Sequence, residues 1–484
     1  MKKCIIASAL LSLPLFNVTF SQALAFAAQA DFPNTSPVSV VIKSHQSGIM
    51  PSTMIGIKTG KTEFGKTFPF FTDTNIGAVA DLKMLSPLPG QSCLVSIGAD
   101  GDVLWVPSGP PKTPGQISRA DIDALASFLQ AAGCKLDYAA SILNNTPGSA
   151  ADELSYVDSV VGDALLAVGF GNEPDVAPYT MSAIAYAQEW NTFAKAALAR
   201  DPNLRFKGPE TGIVTNLGVW LSAWYEANSS LPLAYGTQNF YVAGPGDCPI
   251  CTESLMLERR SSQASWDAMV AQKAEFEVGL AKVLPVLLTE TNNFYGGGDP
   301  GISNSYGSAL YAFDFIFQAA EAGFAGTAFS MLDHWALGYS PLNIVNGYSY
   351  GVKPEYYGMY MAALAGYGSM LSTTVENADG LHAYTVDDMA TGTLNTAFIN
   401  TTAINYKVHA DYPAGTELTT CASYVMSDSA GITDTVATGL NIQGGHFDSN
   451  TDIVLQSPYP VFVDGAAADM QVPAYSGVLV KCTD

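Results

Sequence analysis

Basic residues and histidines are scarce in this chain of 484 residues. Lysine and arginine together number 21 against 44 aspartates and glutamates, which gives a formal net charge of −23 at pH 7. A chain this acidic repels polyanions at long range, so nucleic acid and highly sulfated chains are poor partners. The five histidines and the lack of a G-x-S-x-G motif after a predicted strand argue against a serine hydrolase. The glycine run 296–298 lacks the Lys-Ser/Thr pair of a phosphate-binding loop, so nucleotide binding is not indicated.

Long apolar stretches are absent after the first thirty residues. Lys2 and Lys3 precede an apolar run at 4–20, and small alanines follow it, which is the pattern of an export signal. We therefore expect residues 1–30 to be removed and the mature chain to begin near Asp31, in a secreted or periplasmic protein. No later window is long and uncharged enough to cross a bilayer, so no membrane association is expected.

The cysteines that remain after this signal are even in number, and an even count in an exported protein predicts disulfides. The spacing at 248–251 is C-x-x-C, which could also be redox-active or form half of a zinc site, although no second pair or nearby histidine completes such a site. A pairing of Cys421 with Cys482 would close the C-terminal segment on itself. The other pairings stay open among Cys93, Cys134, Cys248 and Cys251.

Short apolar runs alternate with amphipathic stretches from about residue 94 to residue 331, which is typical of repeated βα units. Together with one earlier run they predict a (β/α)8 barrel over residues 51–360. The predicted strands are 53–57, 94–98, 138–143, 165–169, 205–208, 234–240, 283–288 and 326–330. The predicted helices are 119–132, 181–199, 254–278 and 305–322.

After residue 366 the sequence becomes rich in Thr, Val, Ser, Gly and Asp and loses its helical periodicity. This texture predicts an antiparallel β-sandwich domain over residues 361–484. An N-terminal strand within residues 31–50 is expected to join the same domain. No repeat or low-complexity linker separates the two parts, so a packed interface between them is expected.

Two glutamates follow apolar runs of the predicted barrel. Glu173 comes after the run 165–169 and precedes Pro174, and Glu290 comes after the run 284–288. The carboxyl ends of barrel strands form the rim where active sites of this fold are built. Either glutamate alone could simply end a strand. As a pair they favour catalysis, because ionisable groups next to buried strands are costly unless they are used or paired.

Glycoside hydrolysis needs two carboxyl groups that differ in proton occupancy. We expect Glu173 to be the acid, with its pKa raised by burial and by the charge of Glu290. Glu290 would stay ionised and attack the sugar. In a retaining enzyme the two carboxyl groups lie about 5 to 5.5 Å apart.

Four segments of the predicted barrel carry a family resemblance. They are 171–175 (Gly-Asn-Glu-Pro-Asp), 289–298 (Thr-Glu-Thr-Asn-Asn-Phe-Tyr-Gly-Gly-Gly), 300–304 (Pro-Gly-Ile-Ser-Asn) and 356–359 (Tyr-Tyr-Gly-Met). These segments resemble glycoside hydrolase family 79, the β-glucuronidases related to heparanase. The resemblance is sharp between residues 169 and 358, and it implies a barrel with a β-sandwich, a retaining mechanism and the same roles for the two glutamates.

The resemblance also implies substrate contacts. Asn172 would bind the sugar 2-hydroxyl, a contact that tightens in the transition state. Tyr241 would hydrogen-bond the nucleophile. The backbone N–H groups of Gly296 and Gly297, with the Tyr295 hydroxyl, could bind the C5 carboxylate of a glucuronide, unless this segment is only a flexible turn.

Three residues after the eighth strand are looser candidates for the sugar site. Tyr339 could also bind the C5 carboxylate. His334 could contact sugar hydroxyls, with Trp335 stacking on a sugar face, or both could be ordinary packed residues of the rim. Asp100 and Asp102 only faintly resemble a calcium loop, and we predict neither metal nor cofactor.

The chain departs from the family pattern at two places. Family members carry a run of the type Gly-Leu-Ser-Tyr-Glu after the first strand, whereas residues 56–60 read Gly-Ile-Lys-Thr-Gly. The usual Arg-x-Gly-Gly-Asn run is Ser-Ile-Gly-Ala-Asp at 96–100. Lys58 could supply a cation near the sugar, but we favour a solvated surface lysine.

The sequence thus predicts an exo-acting β-glucuronidase for terminal glucuronic acid or 4-O-methylglucuronic acid. The acidic surface argues against a heparanase-like endo enzyme, which needs a basic cleft. A β-glycosidase for a neutral sugar and a non-catalytic carbohydrate-binding protein are the alternatives, and the oligomeric state is not predicted.

Overall fold

The computed structural model describes residues 37–61, 70–98, 103–109, 116–143, 145–176, 179, 181–244, 252–258, 260–278, 284–331, 338–436, 439–448 and 452–483. Several predictions lie outside these residues, namely the export signal, the Cys248–Cys251 pair, Asp100 with Asp102, and His334 with Trp335.

Eight parallel strands, which are the second, third and sixth to eleventh strands of the chain, form a closed barrel in that order, with helices in the connections. A preceding strand, β1 (Val38–Met50), belongs to the second sheet. The elements that follow it are β2 (Ile55–Gly60), α1 (Ile76–Met84), β3 (Leu94–Gly98), β4 (Leu104–Trp105), β5 (Gln116–Ile117), α2 (Arg119–Ala132), β6 (Lys135–Ala140), α3 (Pro147–Val161), β7 (Leu165–Phe170), α4 (Ala183–Arg200), β8 (Phe206–Thr211), α5 (Leu217–Asn228), β9 (Leu233–Ala243), α6 (Glu253–Glu258), α7 (Arg260–Val278), β10 (Val286–Phe294), α8 (Tyr306–Glu321), β11 (Phe324–Ser330), β12 (Leu342–Val345), β13 (Tyr348–Val352) and α9 (Pro354–Leu364).

The barrel strands are buried on both faces, which explains their apolar runs. In β2, β3 and β8 every residue is buried, because side chains alternate between the barrel interior and the surrounding helices. Polar residues nonetheless extend several strands beyond their apolar runs. β10 continues through Glu290 to Phe294, so this glutamate lies within the strand and not after it.

The second domain is a mixed sheet of ten strands, made of β1 and nine C-terminal strands. The C-terminal strands are β14 (Gly368–Val375), β15 (Leu381–Asp388), β16 (Thr393–Asn400), β17 (Tyr406–Asp411), β18 (Thr420–Asp428), β19 (Leu440–Ile442), β20 (Tyr459–Asp464), β21 (Ala467–Val472) and β22 (Ser476–Thr483). Their order in the sheet is β19-β18-β20-β21-β17-β1-β14-β15-β16-β22, and the sheet closes on itself through a pairing of β18 with β22. β1 lies parallel to β17 and antiparallel to β14.

Side chains of the last strand, β22, belong to two hydrophobic cores, one on each face of the sheet. Val478, Val480 and Cys482 belong to the core enclosed by the sheet, whereas Leu479 belongs to the core shared with the barrel. This alternation follows from the two-residue period of a strand. The predicted fold class is therefore confirmed: a (β/α)8 barrel with a C-terminal β domain that also takes an N-terminal strand. The domain limits at residues 50 and 360 stay a prediction.

Helix α8 joins the two domains. It is buried around nearly its whole circumference, because it contacts barrel strands on one side and the second sheet on the other. The Tyr306 hydroxyl donates to the carbonyl oxygens of Met426 (3.0 Å) and Tyr475 (2.8 Å). Phe317 stacks on Tyr384 with 5.3 Å between ring centroids. These contacts form a packed interface between the two domains. The sequence predicted this interface because no linker separates the two parts.

Two disulfides are present among the described residues. Cys93 pairs with Cys134, and the two residues directly precede β3 and β6, so they join the amino ends of neighbouring barrel strands. Cys421 pairs with Cys482 across β18 and β22, as the sequence predicted. Within the described part of the chain, no helix has the length and apolarity needed to cross a membrane.

Candidate active site

Glu173 follows β7 and Glu290 lies in β10, and both are at the carboxyl-terminal mouth of the barrel, where the charge of Glu290 acts on the Glu173 carboxyl. The space beside these two carboxyl groups is the candidate pocket. Glu173 follows β7 with a left-handed φ of 50°, and its N–H donates to the carbonyl oxygen of Glu210, in β8, at 2.8 Å. Gly171 also has a positive φ, of 82°. A positive φ is rare in residues other than glycine, and residues such as Glu173 that have one are often found at functional sites. This bend turns the chain after β7 toward β8.

Burial and charge set the protonation of Glu173. Burial is the largest cause that raises its pKa, to about 7, and the negative charge of Glu290 adds to it. A hydrogen bond from Asn239 and the charge of Lys58 act in the opposite direction. Glu173 therefore keeps its proton up to near-neutral pH, as an acid catalyst must.

Asn239 holds the Glu173 carboxyl in place. Its Nδ2 donates to Glu173 Oε1 at 3.1 Å, and its Oδ1 accepts from the Thr289 hydroxyl at 3.1 Å. The hydroxyl bond fixes the orientation of the amide, so that the NH2 group faces Glu173. Sequence reasoning gave Asn239 and Thr289 no role, although both lie beside residues that it singled out.

The loop after β8 also fits closely against Glu173. A Cβ atom at Gly212 would lie 2.8 Å from Glu173 Cδ, so only glycine leaves room for the carboxyl. Asp175 ties this loop down by accepting from the N–H groups of Gly212 (2.7 Å) and Ile213 (3.0 Å) and from Asn216 Nδ2 (3.1 Å). Asp175 belongs to the sequence motif, but the sequence alone assigned it no contact.

Both carboxylate oxygens of Glu290 have donors. The Tyr241 hydroxyl donates to Oε1 at 2.8 Å, which is the contact that the family resemblance implied. Lys58 Nζ lies 3.3 Å from Oε2, and the Glu290 side chain is 14% exposed. The carboxylate is thus held in one orientation while part of it faces the pocket.

Lys58 is not a surface residue, so the interpretation as a solvated lysine is wrong. Its side chain is 3% exposed, because β2 belongs to a closed barrel and Lys58 faces the interior. Its Nζ also donates to Asn172 Oδ1 at 3.2 Å. Burial alone would lower the pKa of Lys58, but the carboxylates Glu290, Glu210 and Asp137 raise it above its ordinary value. Lys58 therefore carries a positive charge next to Glu290.

Three tyrosines line the side of the pocket next to Glu290. The Tyr241 ring lies 6.1 Å from the Tyr339 ring and 6.4 Å from the Tyr295 ring, between centroids. Tyr339 is 2% exposed and Tyr295 is 39% exposed. Burial, followed by the charge of Glu290, raises the pKa of Tyr339 to about 12, so its hydroxyl stays protonated.

The glycine run after Tyr295 has a backbone conformation that suits glycine. Gly296, Gly297 and Gly298 have φ values of 72°, 97° and 82°, which favour glycine. The backbone of Gly297 hydrogen-bonds the Tyr339 hydroxyl. The run and Tyr339 thus form one unit beside the pocket, and the Gly297 amide already has a partner.

A buried charged cluster lies deeper in the barrel. Lys207 pairs with Asp137 and Glu210, and all three side chains are at most 2% exposed. Ser96 donates to Asp137 at 3.0 Å. Sequence reasoning missed this cluster, although charged residues inside otherwise apolar strands were a usable signal. Among the described residues, no group of three or more His, Cys, Asp or Glu side chains could hold a metal ion.

The chain is similar to curated fungal β-glucuronidases. It is 24% identical over 217 residues to the one from Neurospora crassa, which covers 41% of this chain and 39% of that protein. It is 26% identical over 216 residues to the one from Aspergillus niger, which covers 40% and 39%. The similarity thus spans about two fifths of the length of these relatives. No family model matches the chain.

Solved structures share the fold over nearly the whole chain. The structure of a 4-O-α-L-rhamnosyl-β-D-glucuronidase from Fusarium oxysporum 12S has a TM-score of 0.72 at 17% identity and covers 91% of this chain and 99% of that chain. A family 51 α-L-arabinofuranosidase from Bifidobacterium longum has a TM-score of 0.67 at 13% identity and covers 93% and 100%. These identities show a shared fold. Together with the fungal relatives, they confirm the resemblance to the β-glucuronidases that the sequence predicted.

Proposed function

We propose that the chain is a retaining exo-β-glucuronidase that hydrolyses terminal β-linked glucuronic acid, or its 4-O-methyl form, from glycans or small glucuronides. The observation that carries this proposal is that two glutamates at one barrel mouth have different electrostatic surroundings. Glu173 has a pKa of about 7, whereas Glu290 receives Lys58 and Tyr241 on its two oxygens. One group can supply a proton and the other can attack. The similarity to fungal β-glucuronidases supports the choice of sugar.

In the first step, Glu173 gives its proton to the glycosidic oxygen as the bond to the anomeric carbon breaks. Glu290 attacks that carbon from the opposite face and forms a glycosyl ester, and the aglycone leaves as an alcohol. The negative charge of Glu290 is consumed in the ester. Because that charge helps to raise the pKa of Glu173, the pKa of Glu173 falls at this stage.

In the second step, the ionised Glu173 takes a proton from water, and the water oxygen attacks the anomeric carbon. The ester bond breaks and Glu290 regains its charge. The released sugar has the same anomeric configuration as the substrate, because two inversions occur in sequence. The falling and rising pKa of Glu173 lets one carboxyl serve as acid and then as base.

The glucuronide carboxylate would bind on the tyrosine side of the pocket. The Tyr295 hydroxyl and the Gly296 amide are the proposed donors, and the Tyr339 hydroxyl is held beside them by the backbone of Gly297. Asn172 would bind the 2-hydroxyl. The roles of His334 and Trp335 remain predictions from the sequence.

A β-glycosidase for a neutral sugar is the second candidate. The observation that favours it is the engagement of Lys58, which contacts Glu290 and Asn172 and so is not turned toward an incoming carboxylate. The Gly297 amide is likewise bonded to Tyr339. Recognition of a C5 carboxylate would then depend on neutral donors alone.

We also propose that the protein works outside the cytoplasm. The export-signal pattern at residues 1–30 and the two disulfides support this location, because structural disulfides persist in oxidising compartments.

A panel of 4-nitrophenyl β-glycosides separates these functions. Hydrolysis of the glucuronide alone supports the proposal, hydrolysis of a neutral glycoside instead supports the second candidate, and no hydrolysis of any sugar supports a non-catalytic protein. Glu290→Ala should lower kcat by at least about 10⁴-fold, because it removes the nucleophile. Glu189→Gln, at an exposed position of α4, is the matched control and should retain full activity.

Azide rescue tests the mechanism and the assignment of the two glutamates. In Glu290→Ala, azide should attack the anomeric carbon from the face that Glu290 would use, displace 4-nitrophenol and give the α-glycosyl azide. In Glu173→Ala with a 2,4-dinitrophenyl substrate, azide should attack the glycosyl ester and give the β-glycosyl azide. If Glu290→Ala gave the β-glycosyl azide and Glu173→Ala gave the α-glycosyl azide, Glu173 would be the nucleophile and Glu290 the acid/base. An inverted anomer from the wild type, seen by proton NMR, would refute a retaining mechanism.

A further inference from the structure

Lys58 contacts two residues of the proposed machinery at once. Its Nζ is 3.3 Å from Glu290 Oε2 and 3.2 Å from Asn172 Oδ1. The ammonium group has three donors and no acceptor. A single buried cation therefore connects the candidate nucleophile on β10 to the residue that precedes the candidate acid after β7.

The contact with Asn172 determines which way its amide faces. Because a lysine only donates, the amide oxygen must be the atom that faces Lys58, and the NH2 group must occupy the other branch of the amide. Without the ammonium, the Asn172 amide could flip. Its oxygen, an acceptor, would then take the place of its NH2 group, a donor. An amide that binds a sugar hydroxyl in the transition state needs a fixed orientation, since each contact made only there lowers the barrier.

Gly98 leaves the room that Lys58 occupies. A Cβ atom at this position would lie 2.6 Å from Lys58 Nζ and 2.7 Å from Lys58 Cε, and 3.4 Å from Asn172 Oδ1. Gly98 lies at the end of β3, and its φ is outside the left-handed region. An alanine there would not strain the backbone, but its methyl group would displace the end of the lysine.

The surrounding charges keep the cation at this place. Glu290 on β10, Glu210 on β8 and Asp137 on β6 all attract Lys58. Lys207 compensates the two deeper carboxylates by pairing with both. Glu290 is the carboxylate that pairs with Lys58.

We propose that Lys58 is a positioning residue that orients the Asn172 amide toward the sugar 2-hydroxyl while it holds Glu290. This inference rests on the proposed function, because it assumes a sugar bound between Asn172 and Glu290. It assigns Lys58 a task that its strand position alone does not reveal. The same arrangement accounts for the glycine at position 98, which lies against the end of the Lys58 side chain.

The test compares an aryl β-glycoside that the wild type hydrolyses with its 2-deoxy counterpart. The wild type should lose on the order of 100-fold or more in kcat/KM without the 2-hydroxyl, since such contacts are worth several kcal/mol in the transition state. Lys58→Met should slow both substrates, because it removes a donor from Glu290. It should also reduce the preference for the 2-hydroxyl by at least about 10-fold, because the Asn172 amide is no longer oriented.

Three further comparisons make the result decisive. Gly98→Ala keeps the lysine but displaces it, and should reduce the same preference even if Lys58→Met fails to fold. Lys195→Met removes an exposed lysine of α4 and should leave both rates unchanged. In an Asn172→Ala background, Lys58→Met should cause no further loss of preference.

An unchanged 2-hydroxyl preference in folded Lys58→Met and Gly98→Ala would overturn the inference while leaving the proposed function intact. In that case Lys58 would act on Glu290 alone. A wild type that hydrolyses no β-glycoside would instead refute the proposed function, and the inference with it.

Discussion

Replacing Glu173 by glutamine should stabilise the protein in a pH-dependent way. Glutamine has nearly the same shape and can still accept the bond from Asn239 Nδ2, but it never ionises. The folded protein raises the pKa of Glu173 from 4.5 to about 7, through burial first and the charge of Glu290 second. Ionisation of this carboxyl is thus more costly in the folded chain than in the unfolded chain.

The sign and the size follow from proton linkage. A carboxyl whose folded pKa is raised contributes its full stability below the unfolded value of 4.5 and loses it as the pH rises through about 7. Each pKa difference of one corresponds to about 1.4 kcal/mol, so the loss above neutral pH is about 3 kcal/mol. Glu173→Gln should escape this loss.

Urea unfolding of both proteins at about pH 4 and about pH 8.5 measures the effect. The variant should gain about 3 kcal/mol relative to the wild type between the two conditions. Glu189→Gln removes an exposed carboxyl of the same barrel and should show no comparable gain. A difference between Glu173→Gln and wild type that stays constant with pH would refute the reasoning on the acid, whatever the activity of the enzyme.

Two further predictions concern the nucleophile and the barrel. Tyr241→Phe should lower kcat by about 10- to 100-fold on the hydrolysed 4-nitrophenyl glycoside, because it removes the donor to Glu290 Oε1 and bonds to charged groups are worth about 1.5 to 3 kcal/mol. An unchanged kcat would contradict this prediction. Cys93→Ser combined with Cys134→Ser should lower the free energy of unfolding by about 3 kcal/mol. The double variant should keep its kcat, because the disulfide lies at the amino ends of β3 and β6, away from the pocket. Equal urea midpoints for variant and wild type would count against the stability prediction.

The pattern of apolar runs was sufficient to predict the barrel and the β domain. All eight predicted strands overlap barrel strands, because a strand buried on both faces has a local signature in the sequence. Four helices, α1, α3, α5 and α9, were not predicted. The signal was present in α5, where Leu217, Leu221 and Trp224 lie at helical spacing and are buried.

The two glutamates could be found from the sequence because each one follows an apolar run at a place where this fold builds its sites. Only the tertiary structure decided that Lys58 lies in the pocket. A lysine in a short strand has the same local pattern whether its face meets solvent or a closed barrel interior. The burial of Lys58, and the pairing of Lys207 with Asp137 and Glu210, depend on contacts between strands that lie far apart in the chain, and local periodicity carries no information about such contacts.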